Sequence, residues 1–344
     1  MKSHRNLFFL LSTALMVLLA GCKEITTTTV VHQDGSVTRM IEVPGDSSIA
    51  NNVAYPIPQA EGWERVHHSK EVNGEEKPFW TMKKRYTDFF EMLDEMAAIA
   101  AKPRRIRLST DMAKKVRWFY TYYRYSETVG SYNRFSVSVT DFVTREELAM
   151  MAAKDSTMDE SVIKEIEAKY ERWQAHAVLE VFYQAMKSEA LAQDGARLTA
   201  ADFESHKDVF FGDMYRAVDV GNLDVETFVR SASASMEAPE LLGLEEKMRP
   251  VWADIESRLA FMHSVEEDSY IFKVEMPGLI VETNADGIEG NRVFWNVHHS
   301  QFLNEDYVME VTSRVANRWA LVVTGLIALL ALMVLIVPLL RKRR

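Results

Sequence analysis

Four groups of residues have types and spacings that invite chemistry. His67-His68 and His298-His299 are adjacent pairs, and with Glu64 or Asp306 close by in sequence they are the first place to look for a metal site. Both pairs read as strand or strand-end residues, where neighbouring side chains point to opposite faces, so each pair brings one ring at most to a common ion. No His-x-His or His-x-x-x-His spacing reinforces them. Ser161-Val162-Ile163-Lys164 has the spacing in which a lysine activates a serine nucleophile, yet the companion motifs Ser-Asp-Asn and Lys-Thr-Gly are absent. Its position in the first turns of an amphipathic helix makes it a solvated face. Asp219-Val220-Gly221-Asn222-Leu223-Asp224 begins like a calcium loop but puts Asp224 where glycine is needed and Arg230 where the bidentate glutamate is needed. There is no Gly-x-Ser-x-Gly, His-Glu-x-x-His, Walker loop or dinucleotide fingerprint. No catalytic residue, metal ligand or cofactor is predicted.

The remaining reactive side chain is Cys22, the single cysteine of 344 residues. One thiol builds neither an intramolecular disulfide nor a cysteine metal site. Ahead of it lie a basic start (Lys2, Arg5), an apolar run over residues 7–19, and Leu19-Ala20-Gly21-Cys22. That is the layout of a secretory signal peptide over residues 1–21. Leu-Ala-Gly-Cys resembles a bacterial lipobox, which implies signal peptidase recognition of Leu19, Ala20 and Gly21, diacylglycerol on the Cys22 thiol, and a mature N-terminus there. Lys23 follows the cysteine at a position that affects sorting.

At the other end, residues 319–340 form an uncharged run of 22 residues. As a helix it is roughly 33 Å long, enough for the ~30 Å hydrocarbon layer. Trp319 marks one interface, and Arg341, Lys342, Arg343 and Arg344 follow the other as residues 341–344. The positive-inside rule therefore places that tail in the cytoplasm and residues 23–318 outside it. The expected location is the bacterial cytoplasmic membrane, with lipid as the first partner of the chain.

Charge narrows the other partners. The net formal charge is -10, and setting aside Lys2, Arg5 and the four C-terminal basic residues takes it to -16. So acidic a body repels phosphate backbones, which argues against nucleic acid as a partner. The same repulsion favours an envelope protein over an anionic amphiphile as ligand.

Between the two anchors the pattern is β, then α, then β. Residues 25–31 and 37–43 read as a hairpin around Asp34-Gly35, and 63–68 with 79–85 as a second pair around Asn73-Gly74. A helix is expected over residues 86–101. Strands are expected over 104–108, 116–125 and 135–143, the middle one carrying aromatics on both faces. Thr144 to Glu147 is a capping box, as is Thr157 to Glu160, which precedes a long helix to about residue 193. Thr199 reads as the N-cap of further helix, broken near Gly212, Gly221 and Pro239. Acids such as Glu165, Glu167 and Glu171 interleave with Lys164, Lys169 and Arg172 as surface pairs. Eighteen methionines mix with Leu, Ile and Phe at core spacing and read as packing. Strands return over 270–275, 279–283, 293–297 and 307–311.

The fold class is thus α+β: an antiparallel sheet from N- and C-terminal strands, with a long helical insertion and one C-terminal transmembrane helix. The divisions are 22–143 (β-rich), 144–263 (helical) and 264–318 (returning strands). Met276-Pro277-Gly278, Thr283-Asn284, Gly290-Asn291 and Val293-Phe294-Trp295 ahead of the apolar run, with the Cys22, strand, Asp34-Gly35, strand start, resemble the LppM-type bacterial membrane lipoproteins. That resemblance implies an envelope protein with an α+β ectodomain and brings no catalytic residue. Two readings of function follow. One is a non-enzymatic anchored protein that binds an envelope protein or an amphiphile, with the helical block as a docking module if it exposes an apolar stripe. The other is a hydrolase acting on cell wall or lipid, with a site assembled only in three dimensions.

Overall fold

The computed structural model describes residues 23–45, 54–58, 61–72, 74–101, 104–153, 159–193, 197–219 and 224–341. Leu19, Ala20, Gly21 and Cys22 lie outside the described residues, as do Lys342, Arg343 and Arg344. In chain order the elements are β1 (Lys23–Val31), β2 (Val37–Pro44), β3 (Glu64–Val72), β4 (Glu75–Tyr86), α1 (Phe89–Ala100), β5 (Leu108–Val116), β6 (Tyr120–Val129), α2 (Arg145–Ala153), α3 (Glu160–Leu191) and α4 (Ala200–Asp219). Then come α5 (Val225–Ser235), α6 (Glu245–Glu266), β7 (Asp268–Glu275), β8 (Leu279–Thr283), β9 (Gly287–Glu289), β10 (Arg292–Val297), β11 (Tyr307–Ala316) and α7 (Arg318–Arg341). The chain is α+β, with antiparallel strands from both ends and the helices α2 to α6 between them.

These elements form two compact units. The helical unit holds Ser131–Asp268 and His298–Glu305; the sheet unit holds Glu24–Gly130, Ser269–Val297 and Asp306–Arg344.

In the helical unit the local signals act as expected at two caps. Thr144 and Glu147 exchange backbone-to-side-chain bonds of 2.8 and 3.2 Å, and Thr199 does the same with Asp202 at 2.8 and 3.3 Å. The N-cap of α3 is Asp159, which accepts from Ser161 N at 2.9 Å, and not the expected Thr157. Helix α4 runs unbroken through Gly212, since one interior glycine costs only about 1 kcal/mol and the burial of Phe210, Phe211 and Met214 outweighs it. Met186, Met214, Met248 and Met262 are fully buried, so these methionines do fill the core. Residues 135–143 form no strand. Their apolar side chains Phe135, Val139 and Val143 are buried, and a single 3-10 turn at Val139–Asp141 replaces the expected extended run.

The sheet unit has two sheets where one was expected. One has seven strands in the order β3-β4-β2-β1-β7-β10-β9, the other four in the order β5-β6-β11-β8. The chain changes sheet at Met276-Pro277-Gly278. Met276 N donates to Asn291 O at 2.9 Å, Asn291 Nδ2 returns a bond to Met276 O at 3.0 Å, and buried Ser313 Oγ donates to Pro277 O at 2.8 Å. Gly278 has φ of 82°, and a Cβ there would lie 2.3 Å from Arg314 O, so only glycine fits. Asn284 ties the second crossing, its Oδ1 accepting from Trp295 Nε1 and Glu310 N at 3.0 and 2.8 Å while its Nδ2 donates to Val308 O at 2.7 Å. The short motifs of the C-terminal strands are therefore brackets between sheets.

The largest revision concerns residues 104–125. The stretch over 104–108 joins a strand only at Leu108, and the expected single strand over 116–125 is two strands joined by a tight turn. Strand β5 pairs with β6 from Leu108 opposite Val129 to Val116 opposite Thr121, and Arg117 N donates to Tyr120 O at 2.8 Å across the tip.

Candidate membrane-proximal site

The β5–β6 tip meets the start of α7. Asn317 makes the joint: its N–H donates to Phe119 O at 2.8 Å, its Nδ2 donates to Arg117 O at 2.6 Å and Trp118 O at 3.2 Å, and its Oδ1 accepts from Thr121 Oγ1 at 2.8 Å. Its own carbonyl accepts from Ala320 N at 3.0 Å, so the same residue opens the helix. Trp118 lies edge-on to Trp319 with centroids 5.3 Å apart and donates from Nε1 to Thr324 Oγ1 at 2.9 Å. Strand β11 ends at Ala316 and the helix starts at Arg318, which leaves Asn317 alone between them.

Helix α7 has a stretch of 19 residues, Arg318–Ile336, with mean hydropathy 2.8 and almost no burial in the protein, and is long and apolar enough to cross a membrane. The tip carries the exposed apolar residues Val116, Trp118, Phe119 and Tyr120, and Trp118 packs on the first turn of α7 at exposed Trp319. Amphipathic aromatics of this kind settle at the headgroup level of a bilayer.

The outward face of the four-stranded sheet rises from this joint in ranks fixed by register. Lys115, Tyr122 and Arg314 are cross-strand neighbours; next come Ala113, Arg124 and Thr312; then Asp111, Ser126 and Glu310. The rank nearest α7 is basic and the third is acidic. Arg124 bridges them, bonded to Glu310 at 2.6 Å, which holds its guanidinium above its ordinary value, while Arg314 lies 4.7 Å from the Tyr120 ring. Lys115 and Arg117 are exposed and have no acidic partner among the described residues. Ala113, Lys115, Arg117, Tyr122, Arg124 and Thr312 line an open groove of about 510 Å³. The net negative charge of the chain is thus locally reversed beside the apolar helix.

The inward face of the same sheet carries a second constellation that sequence motifs did not reveal. Arg39 of β2 forms a two-pronged pair with Glu127 of β6, at 2.6 and 2.9 Å, with both side chains 1% exposed. Thr29 Oγ1 accepts from Arg39 at 2.5 Å, Tyr125 Oη donates to Glu127 at 2.7 Å, and Tyr55 Oη accepts from Arg39 at 3.2 Å. Burial works against the Arg39 charge and Glu127 overrides it; burial, then Glu127, hold the Tyr125 hydroxyl well above its ordinary value and therefore protonated. The cluster is sealed from solvent, so its work is to fix one sheet against the other.

The other candidates disperse. His67 and His68 lie on β3 against Trp80 and Phe79 respectively, and His298 caps the 3-10 turn His299–Phe302 by accepting from Ser300 N. Among the described residues no three His, Cys, Asp or Glu side chains are grouped as a metal site. Ser161 and Lys164 lie on the solvated start of α3, where Lys164 pairs with Glu160 at 2.7 Å. Asp224 caps α5 through Thr227 N at 2.7 Å. The exposed large apolar side chains of the helical unit, Met150, Val162, Leu191, Val209 and Leu242, are spread over four elements and form no stripe along one. Glu266, Tyr170, Tyr132 and His299 gather at one place, Tyr132 Oη lying 3.4 Å from Glu266 Oε1 and 3.3 Å from His299 Nδ1 while Tyr170 Oη donates to Glu266. Of the sequence-predicted topology residues, Trp319 stands at the joint and Arg341 ends α7.

The class of protein that this geometry defines is an α+β body whose four-stranded sheet is mounted directly on an apolar helix. No protein-family model matches the chain, and no curated protein matches it. Among solved structures it is similar to the NMR structure of the folded domain of Mycobacterium tuberculosis LppM, with 7% identity, a TM-score of 0.29, and coverage of 86% of this chain and 92% of that one.

Proposed function

We propose that the chain is a non-enzymatic envelope lipoprotein of the bacterial cytoplasmic membrane, anchored by acylated Cys22 and by α7, whose extracytoplasmic residues bind an amphiphile of that membrane. The observation that supports this reading is the Asn317 joint, which holds a groove with a basic wall beside a helix apolar enough to span. Trp319 takes the outer interface, and Arg341, Lys342, Arg343 and Arg344 the cytoplasmic one. Overall charge favours an envelope protein as ligand, but charge acts over about a Debye length, some 8 Å at physiological salt, so the local basic rank decides what the groove attracts. A hydrolase would need an acid–base pair or a serine–histidine pair beside a cleft, and the six residues lining the groove include no carboxylate, serine or histidine.

Native mass spectrometry of the full chain in a mild detergent tests the reading. The expected result is the acyl mass on Cys22 and a stoichiometric lipid retained by the folded protein. A bare protein that turns over a cell-wall or lipid substrate through one Ser, His or acid overturns it.

A further inference from the structure

The amphiphile reading leaves open what the groove recognises, and the inference here rests on that reading. We propose that the groove is a phosphate-headgroup site for an anionic phospholipid of the surrounding bilayer, with Lys115 and Arg117 as the charges that hold the phosphodiester. Three observations converge. The cations are exposed and unpaired by acids among the described residues, so a ligand anion displaces only water. Tyr122 and Thr312 line the same groove and supply hydroxyl donors beside them. The volume of about 510 Å³ lies within the range of small-molecule sites.

Place selects the source of the phosphate. The basic rank lies next to the Arg117-Trp118-Phe119 tip, which touches the first turns of α7 through Trp319 and Thr324. Exposed Leu279, opposite Arg314 on the outward face, flanks the basic rank and gives the glycerol and first methylenes of a lipid an apolar wall. A soluble phosphate meets the cations but gains nothing from that wall. Asp111 and Glu310 in the third rank repel an anion that moves up the sheet, so the phosphate is confined to the end beside the helix. Arg124, already held by Glu310, marks the boundary.

The test uses the full chain in a zwitterionic detergent, titrated with short-chain phosphatidylglycerol, short-chain phosphatidylcholine and inorganic phosphate, with native mass spectrometry and tryptophan fluorescence as readouts. The expected result is one saturable phosphatidylglycerol site, at least tenfold tighter than phosphatidylcholine or inorganic phosphate. A surface charge is worth about fivefold against an anionic lipid, so K115Q/R117Q binds about twenty-five-fold more weakly, while K164Q/R249Q, which removes the same charge elsewhere, leaves binding unchanged. Equal binding of inorganic phosphate overturns the lipid assignment. Unchanged affinity in K115Q/R117Q, or equal loss in K164Q/R249Q, overturns the site. If phosphatidylglycerol fails to bind while a phosphate-free amphiphile co-purifies, this inference falls and the broader reading stands; if nothing is bound or retained, both fall.

Discussion

At the scale of single residues, the charged pair at the centre of the sheet unit has the clearest consequence. Removing one partner of a buried ion pair leaves the other charge unpaired, at a cost of about 3–5 kcal/mol, whereas replacing both with apolar groups is close to neutral. Glu127→Leu is therefore expected to lower the urea midpoint of the protein in detergent sharply, and Arg39→Met together with Glu127→Leu to restore most of it. Equal losses in the single and double variants would refute the pairing argument. The signal for this pair is present in the sequence: Val37, Arg39, Ile41 and Val43 share the inward face of β2, as Tyr123, Tyr125, Glu127 and Val129 share that of β6. An arginine or glutamate in an apolar slot of an alternating strand announces a partner without saying which one. Glu266 carries a pH prediction. Burial pushes its carboxyl up, and the bonds from Tyr170 and Tyr132 and the nearby His263 only partly offset this. The native state then keeps the proton to higher pH than the unfolded chain, which releases it near about 4.3. Stability falls as pH rises from there to the native value and is flat above it. Glu266→Gln should remove that slope in melting temperature measured against pH.

At the scale of elements, the hairpin under the groove shows what local pattern conveys and what it withholds. Its residue types were legible as strand formers, but Trp118, Phe119 and Tyr120 on consecutive positions have no single face, and only the meeting with α7 explains them. Aromatics on both faces mark a turn at the meeting with α7 here, where one continuous strand was the expectation. The caps Thr144 and Thr199 were legible because they satisfy orphan amides within four residues. The division into two sheets was not, since Gly278 and Asn284 act on strands distant in sequence. The joint is directly testable. Asn317→Ala removes the bonds to Arg117, Trp118 and Thr121, and the orientation of sheet and helix should loosen. Spin labels at Ser109 and Leu332 are expected to give a broader distance distribution than in the parent; an unchanged one would assign the stiffness to Trp118 alone.

At the scale of the whole molecule, two proposed anchors give a graded set of outcomes. Cys22→Ser should lose the acyl mass yet remain in the membrane fraction through α7. Truncation after Ala316 should remain there through the lipid, and only the two changes together should release the chain to the soluble fraction. Release by Cys22→Ser alone would remove α7 as a spanning element. A joint of one hydrogen-bonded residue also transmits twist. Turning α7 about its own axis carries the groove with it, so a neighbouring helix that fixes the rotation of α7 also fixes the compass bearing of the groove in the plane of the membrane. One residue inserted into α7 after Thr324 would swing that bearing, relative to the rest of the helix, by roughly 100°.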